Sequence, residues 1–414
     1  MKANSLSVLL LGLGFCLAGA FGSCSSDEPE FRQPTSPEIN LTRSEQLVND
    51  NINDFGLKLF NAISSDPTIV SSNPNFAVSP VSIAIALAMC ANVCDDDLKS
   101  EVLYALDCKN IEELNVLCRK LMMYLPDPSN KCDISLCNAL WHDNGVSPTT
   151  SCRSAITDYF FGQISSIDFS DLKTAGDIIN DWIARSTHNI ITDVFDPANL
   201  LGTKAILANA LYFKGGWTDP FDKSKTVVRT FHGIKGDRDV ELMCDKRTMQ
   251  YVASEHFQAV RLSYKGPYEM IAVLPDADTN IDDFCKAFDS SDLTQCTDET
   301  AIYLVSLSIP KFESFLQESI GDVLSEFGIN LSESRFTEIV GGDDKKGLGL
   351  SHIAKVSTDE DGTVAAAVTI VGESIMPPPQ HVEREVTLTF DRPFLYLIRN
   401  NVTGSIIMAG RFAK

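Results

Sequence analysis

Residues 359–380 read DEDGTVAAAVTIVGESIMPPPQ and join a charged turn to a strand-like run that ends in prolines. Between Gly362 and Gly372 the run carries no charge and has only small or β-branched side chains. Because both faces of such a strand would be free of bulky or charged groups, the run is suited to burial on both sides in a sheet. Pro377–Pro379 cannot continue a central strand. The pattern therefore indicates either an ordinary core strand or a strand-competent segment attached to an exposed, rigid turn.

The remainder of the chain mixes helical and strand-like patterns without a repeat. Apolar residues at helical spacing predict helices over 44–64, 80–92, 110–124, 171–186 and 317–327, the second of them capped by Ser79-Pro80. Short apolar or alternating runs predict strands over 75–78, 133–142, 204–213, 270–274, 301–309, 385–390, 394–399 and 405–412. No Pro- or Ser-rich linker divides the chain after residue 43, so we predict one α+β domain over 44–414 with several antiparallel sheets.

The composition of the 414 residues is that of a globular protein, with 44% hydrophobic and 22% charged residues. The net charge of −22 repels phosphate backbones, so we expect no nucleic-acid partner. No GxSxG, HExxH, GxxxxGKS/T or strand-linked GxGxxG motif is found, and we predict neither enzymatic activity nor a cofactor. The 12 cysteines include no CxxC pair, so we expect buried free thiols or a few disulfides, and no metal site.

The N-terminus has the features of an export signal over residues 1–23, where Lys2 precedes a short apolar run that ends in small residues. The small residues before Cys24 resemble the cleavage box of bacterial lipoproteins, which implies that Cys24 becomes the lipidated first residue of the mature chain. Residues 24–43 are mostly polar and predict a flexible tether. We therefore expect an exported protein that is lipid-anchored at the bacterial cell surface or outer membrane. A simple secretory signal with an incidental cysteine would instead give a secreted protein.

Five motifs in the same order as in a known family run through residues 44–414. They are Asn75–Ala84 (NFAVSPVSIA), Ile179–Thr187 (INDWIARST), Asn209–Phe221 (NALYFKGGWTDPF), Ile309–Phe312 (IPKF), and the C-terminal pair Asp391–Phe394 (DRPF) and Gly404–Ile406 (GSI). With these motifs the chain resembles the serpins. The resemblance implies the serpin fold, with three β-sheets, about nine helices and an exposed reactive-centre loop at 359–380.

The resemblance also implies a mechanism, in which a protease attacks the loop, forms an acyl-enzyme and is trapped when the cleaved loop enters a sheet. The loop is expected outside that sheet until cleavage, with Thr363 the first long side chain to enter. The residues that act as the hinge of this movement are Gly362, Thr363, Val364, Ala365, Ala366 and Ala367. Val364 departs from the acidic residue usual in the family. This uncharged, proline-free hinge favours an inhibitor over a non-inhibitory serpin that acts as a carrier or binding module.

A second implied site is the shutter, a polar cluster that controls opening of the sheet. Its residues in this chain are Ser79, Ser82, Asn209 and His352. Hydrogen bonds among them would tie two strands to a helix and would rearrange as the strands part.

The spacing usual in the family places the scissile residue at Met376. Pro377 would follow the cut, however, and most serine proteases tolerate proline poorly at that position, so the alternatives Ile375, Ser374 and Glu373 stay open. Since Gly372–Pro378 contains no Arg or Lys, we expect a monomeric inhibitor of elastase-like or subtilisin-like serine proteases rather than trypsin-like ones. Cysteine proteases are the second target class that the resemblance implies.

Overall fold

The computed structural model describes residues 33–201, 204–340, 351–363 and 384–414. Its ten α-helices within these ranges are α1 (Arg43–Ser65), α2 (Pro67–Ser72), α3 (Pro80–Val93), α4 (Asp96–Ala105), α5 (Ile111–Tyr124), α6 (Thr150–Ser154), α7 (Leu172–Ser186), α8 (Ile281–Ala287), α9 (Ser290–Asp298) and α10 (Gly321–Ser325). None of the helices in these ranges is both long and apolar enough to cross a membrane.

The strands of the described ranges are β1 (Ala77–Val78), β2 (Asp133–Asp143), β3 (Ser147–Pro148), β4 (Gln163–Ile167), β5 (Ala205–Gly216), β6 (Val227–Gly233), β7 (Gly236–Ala253), β8 (Phe257–Ser263), β9 (Tyr268–Pro275), β10 (Ala301–Pro310), β11 (Phe312–Ser319), β12 (Ile339–Val340), β13 (Ser351–Thr358), β14 (Gly362–Thr363), β15 (Glu385–Thr389), β16 (Phe394–Asn400) and β17 (Ile406–Phe412).

These strands form three sheets, as the resemblance implies. The largest has the order β1-β17-β16-β9-β8-β7-β10-β15. A ninth strand, β6, also pairs with β7, on the side opposite β10. A six-stranded sheet has the order β11-β13-β14-β5-β2-β4, and β12 pairs with β3 alone. Most neighbours are antiparallel, but β10 with β15 and β2 with β4 run parallel. The architecture is therefore α+β with mixed sheets, and the six-stranded sheet contains the candidate site.

Helix α3 is the central helix of the fold and begins as the sequence predicts. Ser79 caps it by accepting a hydrogen bond from the Ser82 amide, and Pro80 occupies the first turn, where its missing N–H costs nothing. Its residues are buried almost without exception, because the helix lies against α1 and α4 and next to β5 and β17. This packing places Ser79 and Ser82 beside the six-stranded sheet.

The helix predicted over 317–327 is wrong in its first part. Residues through Ser319 belong to β11, which pairs in register with β13 from Phe312 to Ser319, and only Gly321–Ser325 is helical. Short apolar runs fit either period, so the ladder of hydrogen bonds to β13 decides the outcome here. The predicted helices over 44–64, 80–92, 110–124 and 171–186 are confirmed to within two residues at each end.

All ten cysteines of the described ranges are free thiols, and eight of them are buried. Burial raises the thiol pKa of each of these eight, which are Cys90, Cys94, Cys108, Cys118, Cys132, Cys152, Cys285 and Cys296. Because the thiolate is the reactive form, these side chains act as small apolar core residues.

Candidate functional site

The turn that precedes the hinge is built by Asp359. Its amide donates to the Gly362 carbonyl at 2.9 Å, and its Oδ1 accepts from the amides of Asp361 at 2.9 Å and Gly362 at 3.2 Å. An Asp side chain that accepts from the amides following it stabilises a tight turn. The chain therefore reverses directly after β13, and Gly362 and Thr363 return to the sheet.

Gly362 and Thr363 form β14, a two-residue strand between β13 and β5. Gly362 pairs with Gly216 and Thr363 with Gly215 on one side, and Thr363 pairs with Thr358 on the other. The φ of Gly362 is +154°, and a Cβ on this residue would lie 2.1 Å from the Gly215 carbonyl oxygen. Only glycine allows two backbones to approach in this way. The expectation that the loop lies outside the sheet from its hinge onward is therefore wrong for Gly362 and Thr363, which are already inserted.

The hydroxyl of Thr363 is buried with two partners. Its Oγ1 lies 2.5 Å from the Tyr264 hydroxyl and 3.1 Å from Oγ1 of Thr358. The Tyr264 ring is stacked on Trp217, with 4.4 Å between centroids, and meets Phe213 edge-on at 5.3 Å. Burial raises the pKa of Tyr264 well above 10, so its hydroxyl keeps its proton. We call Tyr264, Thr358 and Thr363 the hydroxyl cluster.

The turn is also bonded to the residues that follow β5. Nε1 of Trp217 donates to the Asp359 carbonyl at 2.9 Å, and the Trp217 amide donates to the Asp361 carbonyl at 3.0 Å. Nζ of Lys223 lies 2.7 Å from Oδ2 of Asp361. The Phe221 amide donates to the Glu360 carbonyl at 2.9 Å. The backbone of the turn is thus held from one side along its whole length.

Glu360 is a buried carboxylate in this turn, with 3% of its surface exposed. Its Oε1 lies 2.9 Å from Nζ of Lys311 and accepts from the Thr226 hydroxyl at 2.6 Å. Burial alone would raise the pKa of Glu360, but the hydrogen bonds from Thr226 and Lys311 outweigh it and lower the pKa. Removal of Lys311 would leave a buried, uncompensated charge, so the ion pair fixes the position of the turn.

The structure brings the four predicted shutter residues together. The Ser79 amide donates to Nε2 of His352 at 3.1 Å, which ties the start of α3 to β13. The Ser82 hydroxyl donates to Oδ1 of Asn209, which ties α3 to β5. His352 is buried, and burial lowers its pKa to about 4. At neutral pH it is therefore an uncharged acceptor that links the helix to the strand.

Asn138 belongs to the same polar cluster as the predicted shutter residues, and the sequence patterns did not indicate it. Its Oδ1 accepts from Nδ2 of Asn209 at 2.7 Å, and its own Nδ2 donates to the Phe160 carbonyl at 2.8 Å. Asn138 and Asn209 are paired in register on β2 and β5. The polar network therefore extends from β13, by way of α3, through β5 to β2.

β14 lies between β5 and β13 and pairs with both. Within the described residues, β5 and β13 are not paired with each other. β14 is antiparallel to both neighbours. A chain that continued from Thr363 in this register would run between β5 and β13 towards the shutter. Six positions further along, residue 369 would lie opposite Asn209 and His352.

Several predicted site residues lie outside the described ranges. They are the hinge residues Val364, Ala365, Ala366 and Ala367, the candidate scissile residues Glu373, Ser374, Ile375 and Met376, and the lipidation residue Cys24. Their roles stay predictions from the sequence.

The partners of the hinge were not identified from the sequence. Trp217 and Lys311 lie within the quoted motifs, but no spacing connects them to residues 359–363. Tyr264 is in no motif and reaches Thr363 across 99 positions of sequence. Only the packing of the two larger sheets brings it there.

A family model described as Serpin (serine protease inhibitor) matches residues 50–414, and the chain belongs to the serpin family. Serpins as a family are protease inhibitors rather than proteases, and some members are non-inhibitory. The chain is 29% identical over 366 residues to a serine protease inhibitor of Cyanea capillata, with 84% of this chain and 94% of that relative covered.

Two further comparisons cover most of the chain. Plasminogen activator inhibitor 1 of Neovison vison is 26% identical over 423 residues, with 98% of each chain covered. The crystal structure of the thermophilic serpin tengpin in the native state is similar with a TM-score of 0.77 at 26% identity, covering 92% of this chain and 97% of that chain. The three-sheet architecture is therefore that of a serpin.

Proposed function

We propose that this protein is a suicide-substrate inhibitor of endopeptidases, which it traps by inserting its cleaved loop between β5 and β13. Serine endopeptidases are the first target class and cysteine endopeptidases the second. The observation that carries the proposal is β14. Gly362 and Thr363 already pair with β5, and Thr363 also pairs with β13. A strand that continued in this register would pass the proposed shutter. After cleavage, the loop has only to extend an existing strand.

The chemistry of trapping requires that insertion be faster than hydrolysis of the acyl-enzyme. The protease nucleophile attacks the scissile carbonyl, the peptide bond breaks, and the new N-terminus leaves while the carbonyl carbon stays bonded to the protease. Insertion must then desolvate each entering side chain. The residues from Thr363 to Val371 support fast insertion because they include no charge and no proline.

The loop composition supports a preference among targets. Met376, or one of Ile375, Ser374 and Glu373, would be the residue whose carbonyl is attacked. Because the segment Gly372–Pro378 has no Arg or Lys, elastase-like and subtilisin-like proteases are the proposed targets. We also propose that the protein acts as a monomer, exported and held at the cell surface by lipid on Cys24.

The test is to mix the protein with subtilisin, pancreatic elastase and trypsin and to analyse the products on a denaturing gel. We expect an SDS-stable complex with subtilisin or elastase and little with trypsin. The mass of the released C-terminal peptide identifies the cleaved bond. Cleavage by all three proteases with no complex would overturn the proposal.

The melting temperature of the loop-cleaved protein distinguishes an inhibitor from the alternative, a carrier or binding module. An inhibitor gains a full strand of ladder hydrogen bonds, so its cleaved form should melt well above the intact form. An unchanged melting temperature after cleavage would favour the carrier. No described contact of the hinge favours that alternative.

A further inference from the structure

We propose that the hydroxyl cluster of Tyr264, Thr358 and Thr363 is a positioning device that holds the hinge in register before cleavage, so that insertion starts from a strand already begun. The proposal rests on the proposed inhibitory function for its consequence, but the docking of the hinge can be measured independently. Tyr264 is then a positioning residue for trapping, although it lies outside the loop sequence 359–380.

The placement of the Tyr264 hydroxyl is fixed by its ring. The ring lies parallel to Trp217, with an interplanar angle of 8°, and Phe213 packs on it at 68°. Tyr264 is 1% exposed, so its hydroxyl has no access to bulk water and needs a partner in the protein. That partner is Thr363, the last residue of β14. An aromatic stack thus aims one hydroxyl at the inserted hinge.

The register is specific because Thr363 is held from three directions. Its backbone pairs with Gly215 and Thr358, and its hydroxyl reaches Tyr264 and Thr358 on the buried face. A slip of one residue would turn the side chain to the opposite face and leave the Tyr264 hydroxyl buried and unpaired. The cluster therefore favours one register over its neighbours.

The hinge can be docked or released, and only the docked form can extend directly between β5 and β13. Loss of one hydrogen bond with a net value of about 1 kcal/mol shifts such an equilibrium about fivefold. Tyr264→Phe removes the hydroxyl and keeps the ring stack on Trp217. We expect it to release the hinge more often and to slow insertion without a change in the rate of loop cleavage.

The first measurement is amide hydrogen exchange of the intact protein. The amides of Gly362, Trp217 and Phe221 donate to carbonyls of the turn and report docking. In Tyr264→Phe and in Thr363→Val these amides should exchange about fivefold faster than in the parent. Thr363→Ser keeps a hydroxyl and should restore slow exchange. Parent-like exchange in both Tyr264→Phe and Thr363→Val would overturn the proposal.

The second measurement is the number of inhibitor molecules cleaved per protease trapped. Tyr264→Phe should raise the ratio of cleaved to trapped molecules about fivefold. Because both side chains belong to one hydrogen bond, the effect of the Tyr264→Phe/Thr363→Val double variant on this ratio should be smaller than the two single effects combined. Tyr159→Phe, which removes a surface hydroxyl bonded to Glu112, is the matched control and should behave as the parent. Faster exchange with an unchanged ratio would overturn the link to trapping. If the parent traps no protease, the proposed function fails, while the exchange measurement still tests the cluster.

Discussion

Gly362 lies so close to Gly215 that a Cβ on Gly362 would be 2.1 Å from the Gly215 carbonyl oxygen. Gly362→Ala should therefore expel β14 from the sheet, and the φ of +154° adds backbone strain for alanine. We expect the variant to be cleaved as a substrate, with little covalent complex on a denaturing gel. Gly216→Ala is the control, because a Cβ there meets nothing closer than 3.6 Å. Equal trapping by Gly362→Ala and the parent would contradict the close approach.

Thr363→Arg tests the buried side-chain position of the hinge. The arginine would be buried without a partner at a cost of several kcal/mol, and each 1.4 kcal/mol added to the insertion barrier slows insertion about tenfold. Hydrolysis of the acyl-enzyme is not slowed, because the scissile bond lies outside the hinge. The variant should be cut at the same bond while protease activity recovers. Val364→Glu, which restores the acidic residue usual in the family, should trap as the parent does. Trapping by Thr363→Arg at the parent stoichiometry would exclude insertion through this hinge.

The register of β14 makes a prediction for the cleaved form. In that register Thr369 would lie opposite Asn209 and His352, and it is the only polar residue in the sequence 364–371. Thr369→Val should lower the stability of the loop-cleaved form by about 1 kcal/mol through the loss of its hydrogen bonds and should leave the melting of the intact form unchanged. Thr369→Ser should retain most of that stability. A cleaved Thr369→Val form that melts with the parent would show that the inserted strand uses another register.

His352 predicts a pH dependence of the intact form. Its folded pKa of about 4 lies below the unfolded value of 6.5, so the unfolded state binds more protons between these values. The contribution to stability is complete above pH 6.5 and falls as the pH decreases towards 4, by about 3 kcal/mol in all. We expect the melting temperature to fall between pH 7 and pH 5, measured by circular dichroism. His352→Asn keeps a side-chain acceptor without a titration in this range, and its melting temperature should change less. An identical pH dependence in both proteins would assign the effect to other groups.

Cys24 predicts the attachment to membranes. If Cys24 carries lipid, Cys24→Ala should move the protein from the membrane fraction to the soluble fraction of cells that export it. Cys244→Ala, which alters a part-buried thiol of the folded domain, should leave the fractionation unchanged. Parent-like fractionation of Cys24→Ala would show that the N-terminus is a simple secretory signal.

The helices and the family could be predicted from local features. The Ser79-Pro80 cap and the apolar spacing of residues 44–64 determine where α3 and α1 begin, because capping and helical period are properties of neighbouring residues. Five ordered motifs were enough to identify a serpin. The resemblance to the serpins also predicted that Ser79, Ser82, Asn209 and His352 would cluster, and the structure brings them together. By contrast, residues 317–319 pair with β13 as a strand, because hydrogen bonds to a distant segment overrode a short helical pattern.

By itself, the sequence determined an uncharged hinge that a sheet can accept, since residue type alone decides whether a side chain can be desolvated. Only the tertiary structure decided that Gly362 and Thr363 are already inserted. That state depends on Gly215 and Tyr264, which are 147 and 99 positions away, and on the ion pair of Glu360 with Lys311. No local pattern records such contacts, because they arise when the six-stranded sheet packs against the nine-stranded one and brings the Tyr264 hydroxyl to Thr363.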